Sequence, residues 1–234
     1  MLMFRFRAFR WIRCACLAVC AGCWLATPVS AENAAEELPL VYEDTFEQGA
    51  DRWAPTDDEA WKIADAPRGN AYSLFQQSKY KPPYRSPLNI SLLKDVHVGD
   101  FVLEVDVLST ARDYGHRSMC LFFGYQDPSH FYYVHFGKQT DDHANQIFIV
   151  NEAARAKIST KTTDGTPWDD RWHHVKIVRR TGDGAIQVYF DDMQEPVMTA
   201  VDKNFTWGRV GLGSFDDEGD FDNFKLSGVE VEKP

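Results

Sequence analysis

Cysteine almost vanishes from this chain after its first residues. Of the five cysteines, Cys14, Cys16, Cys20 and Cys23 lie near the start and only Cys120 follows. A single later thiol excludes an internal disulfide framework and any paired-cysteine zinc pattern in the rest of the chain. Cys120 sits between Met119 and Leu121 in an apolar run, which reads as a buried, inert thiol rather than a nucleophile. Long hydrophobic runs are also missing. The longest, Cys14 to Ala26, is shorter than the roughly 20 residues that cross a bilayer, so no membrane span is expected. Positive charge is scarce too. The formal net charge is −10, and it becomes −14 when Arg5, Arg7, Arg10 and Arg13 are set aside. A surface that acidic repels phosphate backbones, which argues against a nucleic-acid partner. Helical periodicity is the last absence, with one short helix-like stretch at residues 151–157.

What is present begins with a targeting pattern. Four arginines without an acid, an apolar run and the small-residue sequence Val29-Ser30-Ala31 describe a secretory signal peptide over residues 1–31. The protein is therefore expected to be exported: periplasmic, at the cell surface or secreted. Cys23 after Ala21-Gly22 faintly matches a lipoprotein box, but Cys20 stands where its usual leucine belongs, so cleavage after Ala31 is the favoured reading. Residues 32–39 read as a polar linker, and residues 40–230 as one domain, long enough for a single core.

Strand signals dominate that domain. Candidate strands are 40–46, 71–75, 101–109, 118–125, 131–138, 146–151, 156–160, 173–180, 186–191, 210–214 and 221–226. They are short, rich in Val, Ile, Phe and Tyr, and separated by Gly, Pro, Asp or Asn clusters. Many short strands without alternating helices give an all-β fold of two packed antiparallel sheets, a β-sandwich.

The last quarter refines this. From Trp172 the chain reads WHHVKIVRRTGDGAIQVYFDD, with Val175 and Ile177 alternating with His174 and Lys176, a turn at Thr181 to Gly184, and a second alternating strand. From Gly208 it reads GRVGLGSFDDEGDFDNFKLSG. This order resembles the C-terminal part of concanavalin A-like jelly rolls, the fold of laminin-G domains, legume lectins and family-16-type glucanases. The resemblance implies a polysaccharide or glycan partner lying in a groove on the curved sheet. It also implies one structural Ca²⁺ where the first and last strands meet, with Glu43, Asp44 and Asp222 in comparable places and hard oxygen ligands suited to that ion. The acidic run Asp216 to Asp220 reads as a solvated turn more readily than as a second calcium loop.

The stretch from Arg112 to Val150 holds the unusual residues. With Asp127-Pro128-Ser129 as a hairpin turn, Phe123 is expected opposite Tyr133 and Leu121 opposite His135. Alternation then puts Cys120, Phe122, Val134, Phe136, Phe148 and Val150 on a core face. It puts Arg117, Tyr133, His135 and Asn145 on the other face, with His116, Asp141 and His143 in adjoining loops. Glu104 and Asp106 share the outward face of strand 101–109 and are expected to enter the same groove. Tyr133 offers a stacking ring, and Arg117 and Asn145 offer hydrogen bonds to hydroxyls or a carboxylate. His173 and His174, adjacent in a strand, point to opposite faces and read as scaffold.

Three functions remain open. The first is an exported carbohydrate-binding protein. The second is a polysaccharide lyase or glycoside hydrolase in which His135, Tyr133 and Arg117 are the catalytic candidates. The third is a cell-surface interaction domain. The glucanase strand motif Glu-x-Asp-x-x-Glu stops at Glu104-Val105-Asp106-Val107-Leu108-Ser109, without its second glutamate, which favours binding over hydrolysis.

Overall fold

A computed structural model of the chain describes residues 38–233. The expected signal peptide and all but the end of the linker lie outside the described residues. The first strands are β1 (Leu40–Asp44), β2 (Trp53–Pro55), β3 (Trp61–Ala66), β4 (Gly69–Leu74), β5 (Asn89–Leu93) and β6 (Val98–Ser109). Next come β7 (Ser118–Asp127), β8 (His130–Gly137), β9 (Gln146–Asn151), β10 (Ala156–Lys157) and β11 (Ser159–Lys161). The chain closes with β12 (His173–Arg179), β13 (Ala185–Phe190), β14 (Met198–Val201), β15 (Arg209–Ser214) and β16 (Gly219–Glu230). A single 3₁₀ turn, Asp58–Ala60, precedes β3.

These strands form two antiparallel sheets, the β-sandwich of a jelly roll. One sheet has the order β11-β14-β13-β12-β6-β16-β4-β3, with β1 also paired to β16. The other is seven-stranded, in the order β10-β9-β8-β7-β15-β5-β2. Alternation explains the core. Phe101, Leu103, Val105 and Val107 of β6 and Val175 and Ile177 of β12 meet Leu121, Phe123, Val134, Phe136 and Ile147 from the other sheet. Burying a side chain of this size contributes about 1.5–3 kcal/mol. Without a disulfide in the described residues, this layer is the main source of stability.

The central strands of the seven-stranded sheet, β9, β8, β7, β15 and β5, are buried on both faces, while β10 at its edge is exposed. The sheet's outer face carries a second apolar layer, with Cys120, Phe122, Phe131, Tyr133, Phe148 and Val150 among its members. This corrects the expected sorting. Val134 and Phe136 do face the main core, but Cys120, Phe122, Phe148 and Val150 share the opposite face with Tyr133.

The cause is a shift in strand register. Phe122 pairs with Tyr133 and Cys120 with His135, where Phe123 and Leu121 were expected. Between the pairs Asp127↔His130 and Phe123↔Tyr132, β7 contains extra residues at a β-bulge. Gly124 lies within it at φ +56°, in the left-handed region that suits glycine. In the next hairpin His135 pairs with Gln146. The helix-like stretch at 151–157 is a turn leading into β10. Four short strands escaped the sequence reading: β2, β3, β5 and β14.

Candidate functional site on the outer face of the seven-stranded sheet

In β8, Phe131, Tyr133 and His135 alternate outward while Tyr132, Val134 and Phe136 turn inward. Register then assembles an aromatic field. Tyr133 stacks on Phe148 of β9 with ring centroids 5.1 Å apart and planes within 17°, and Phe122 of β7 lies on its other side at 6.0 Å. Tyr125 and Phe131 extend the field as a second stacked pair at 5.0 Å. The segment between β4 and β5, punctuated by Pro82, Pro83 and Pro87, crosses this face and lays Tyr80 and Tyr84 on it. Phe215, just after β15, packs there too.

Arg155 ties the field together. Its guanidinium carbon lies 4.2 Å from the centre of the Phe215 ring and 5.1 Å from that of Phe148, close enough for cation–π attraction. Its Nη1 donates to the Tyr133 hydroxyl at 3.3 Å, and its backbone N–H bonds the carbonyl of Arg85. Four of the five guanidinium N–H groups therefore remain for other acceptors.

His135 is the unusual member. It is only 6% exposed, with Phe215 5.9 Å and Phe148 6.3 Å away by ring centroid. Nδ1 lies 3.0 Å from the carbonyl oxygen of His143, so Nδ1 carries the proton and donates. Burial pushes the imidazole pKa down to about 4, and the charge of Arg155 acts in the same direction. At neutral pH the ring is therefore uncharged and Nε2 presents a lone pair. That atom has no hydrogen-bond partner; among the described residues only the Trp61 indole nitrogen shares that condition. Buried polar atoms are nearly always paired, so each exception marks a place where a donor or acceptor is wanted.

The other anticipated residues are dispersed. Arg117 is buried and structural, donating to Ser109 Oγ at 3.0 Å, the Ser109 carbonyl at 2.7 Å and the Asp169 carbonyl at 2.8 Å. It is not on the face with Tyr133, and neither is Asn145. Fully buried at φ +55°, Asn145 locks two loops by bonding Thr140 Oγ1 at 2.7 Å and Thr166 Oγ1 at 2.9 Å. His116, Asp141 and His143 lie exposed in loops; Asp141 caps the His143 N–H at 2.6 Å. Tyr133 itself is fully buried, so a sugar would stack on its neighbours rather than on its own ring.

Glu104 and Asp106 lie on the other sheet's outer face, not in this field. Asp106 accepts from His174 Nδ1 at 2.7 Å, from Asn223 Nδ2 at 2.9 Å and from Arg68. Burial opposes its charge, but these three donors outweigh that and hold its pKa at about 2. The same hydrogen bond raises the pKa of His174, which also stands 3.6 Å from Glu104. His173 points the opposite way, stacked on Phe190 at 4.7 Å, as expected of adjacent strand residues.

The residues expected at the calcium position are engaged by donors of the chain itself. Asp44 accepts from the Tyr42 hydroxyl at 2.7 Å, the Phe46 N–H at 2.8 Å and Trp53 Nε1 at 3.0 Å. Asp222 accepts from Arg68 Nε at 3.1 Å and from the Asn223 N–H at 2.7 Å, and Glu43 pairs across from Lys225. Among the described residues no group of three or more His, Cys, Asp or Glu converges as a cation site. Within the acidic run, Asp217 is a clasp, bonded to the Tyr114 hydroxyl and the Ser118 N–H at 2.7 Å each.

Sequence reasoning missed Arg155, Phe215, Tyr80 and Tyr84. The last two were legible in Tyr80-Lys81-Pro82-Pro83-Tyr84-Arg85, a proline-stiffened loop with more aromatic and basic character than solubility needs.

No family model matches the chain, nor does any curated protein. Solved structures do. A carbohydrate binding module (CBM66) from Bacillus subtilis aligns at 20% identity and TM-score 0.53, covering 75% of this chain and 95% of that one. A Bacillus subtilis protein of unknown function with a galectin-like fold aligns at 12% identity and TM-score 0.57, covering 85% and 99%. Winged bean acidic lectin, complexed with methyl-α-D-galactose, aligns at 12% identity and TM-score 0.50, covering 82% and 98%. At these identities the likeness establishes the fold alone: a two-sheet β-sandwich jelly roll.

Proposed function

We propose that this protein binds glycan chains on the outer face of its seven-stranded sheet, and that it does so after export, with residues 1–31 removed. The observation that carries the reading is the unpartnered Nε2 of His135 beside Arg155 and Phe215. A sugar supplies what this arrangement lacks. Its hydroxyl donates to a neutral imidazole, its ring oxygens accept from Arg155, and its C–H face stacks on Phe215 or on the half-buried Tyr80 and Tyr84. The sugar complexed in the winged bean lectin structure and the name of the Bacillus module support the same class of ligand.

A lyase reading has one observation in its favour, since His135 Nε2 is unprotonated as a general base must be. A base with a pKa of about 4 is nevertheless weak at neutral pH, because efficiency is greatest when the catalytic pKa lies near the operating pH. Binding is therefore the stronger reading.

The test is a glycan array of neutral and acidic polysaccharides, followed by calorimetry on the best ligand. Phe215→Ala and Arg155→Ala are expected to weaken binding roughly 30-fold, the loss of about 2 kcal/mol typical of an aromatic or arginine anchor. Lys176→Ala, on the opposite sheet, should change nothing. Undiminished affinity in both Phe215→Ala and Arg155→Ala would remove this face as the site. Unsaturated product from an acidic polysaccharide, lost in His135→Ala, would instead establish the lyase. Export is checked by N-terminal sequencing of the secreted protein, which should begin at Glu32.

A further inference from the structure

We propose a second, separate ligand pocket at the sandwich's side, built around Trp61 and shaped for a single neutral saccharide ring. Edge strands β2 and β3 border a cavity of about 280 Å³ lined by Trp53, Trp61, Tyr72, Asp58, Lys62 and Lys94, among others. Its aromatic wall is continuous: Trp61 stacks on Tyr72 at 4.6 Å, and Trp53 lies 5.9 Å from the same ring.

Hydrogen-bonding supply sets Trp61 apart. The Trp53 indole donates to Asp44 at 3.0 Å and the Tyr72 hydroxyl pairs with Ser91 at 2.9 Å. Trp61, 93% buried on the basis of its 7% exposure, has an indole N–H with no acceptor at all. An indole nitrogen only donates, so what it lacks is an oxygen. Trp168, also in the core, meets this need by donating to the Phe136 carbonyl at 2.7 Å, so among the described buried tryptophans Trp61 alone is left without an acceptor.

Size and charge narrow the ligand. The cavity lies just below the roughly 300–1,000 Å³ of ordinary small-molecule sites, so it takes one ring and not an oligosaccharide. Its charged lining balances, with Asp51 and Asp58 against Lys62 and Lys94, and a net charge on the ligand gains nothing there. Hydroxyls that both donate and accept suit such a lining, and an apolar ring face suits the indoles. Lys62 is exposed and Lys94 half-buried. Lys94 Nζ donates to the Asp51 carbonyl at 2.8 Å, and exposed side chains such as Lys62 change rotamer in picoseconds to nanoseconds.

This pocket is independent of the outer-face site, and the test keeps the two apart. Neutral methyl glycosides of the gluco, galacto and manno series are titrated into ¹⁵N-labelled protein while the indole N–H resonances are followed. The Trp61 resonance, assigned by its absence in Trp61→Phe, is expected to shift downfield with at least one glycoside. The shift should persist in Arg155→Ala, where the outer face is impaired. Asp58→Ala, an exposed-turn change that leaves the core intact, should weaken the response at least about tenfold, the effect of one hydrogen bond to a charged carboxylate. No movement of the Trp61 resonance with any of the three glycosides overturns the proposal. So does a response that vanishes in Arg155→Ala while the Trp61 resonance itself remains in place, because it would then originate at the outer face.

Discussion

His135 donates from Nδ1 to the carbonyl oxygen of His143 at 3.0 Å, and this one bond fixes which imidazole nitrogen is left for a ligand. It also couples stability to pH. Burial holds the folded pKa at about 4, against the ordinary value of 6.5. The unfolded chain therefore binds the extra proton first. Stability from this residue is complete above pH 6.5 and declines as pH falls toward 4. The difference is about 3 kcal/mol. Denaturant midpoints measured between pH 7 and pH 4 should fall accordingly, and His135→Phe should flatten that slope.

Arg117 should prove structural. Its guanidinium bonds two backbone carbonyls and a serine hydroxyl while only 2% exposed. Arg117→Ala leaves those buried acceptors unpaired, at about 1–3 kcal/mol for each group that water does not reach. Chemical denaturation should show a loss of at least about 2 kcal/mol. Glycan affinity below the new unfolding midpoint should be unchanged, whereas a selective loss of affinity would place Arg117 back in the site.

Gly124 lies in the bulge after which Phe122 and Cys120 of β7 pair with Tyr133 and His135 of β8. At φ +56° a side chain is strained, and an added Cβ would stand 3.0 Å from the Tyr132 ring. Gly124→Ala should cost about 1–2 kcal/mol, combining left-handed strain with crowding. Chemical shifts of Phe122 and Tyr133 should move with it. An unaltered spectrum would mean that the bulge is set elsewhere.

Such bulges explain what the sequence made legible. Alternation identified β6, β12 and β13 nearly residue for residue, because each buries one face and wets the other. On β7, β8 and β9 that logic failed, since both faces are buried. With no polar face to mark the outside, alternation does not exclude a one-residue slip, and Cys120 lies on the opposite side from the one expected. Tyr133 and His135 stand out in the sequence, but their neighbours Arg155 and Phe215 come from distant turns. Only register and the path of the chain bring those together. β3 was missed because Lys62, Ala64 and Asp65 dilute its apolar pattern.

Asp44 anchors the first strand through its own chain's donors. Its carboxylate caps the N–H of Phe46, which sits at φ +58°, a left-handed conformation rarely taken by an aromatic residue. The same carboxylate accepts from Trp53 and Tyr42, so one side chain anchors the first strand to the aromatic core. Asp44→Ala should therefore cost about 2–4 kcal/mol through lost charge-assisted bonds. Asp44→Asn, which keeps an acceptor oxygen, should cost less. A structural calcium at 100 times its Kd would add about 2.7 kcal/mol. For a domain of this size that raises the thermal midpoint by at least about 5 °C. Because Asp44 and Asp222 are already engaged with internal donors, millimolar calcium or EDTA is expected to move the midpoint by less than about 1 °C. A rise near 5 °C, abolished by Asp44→Asn, would show that the ion displaces those donors.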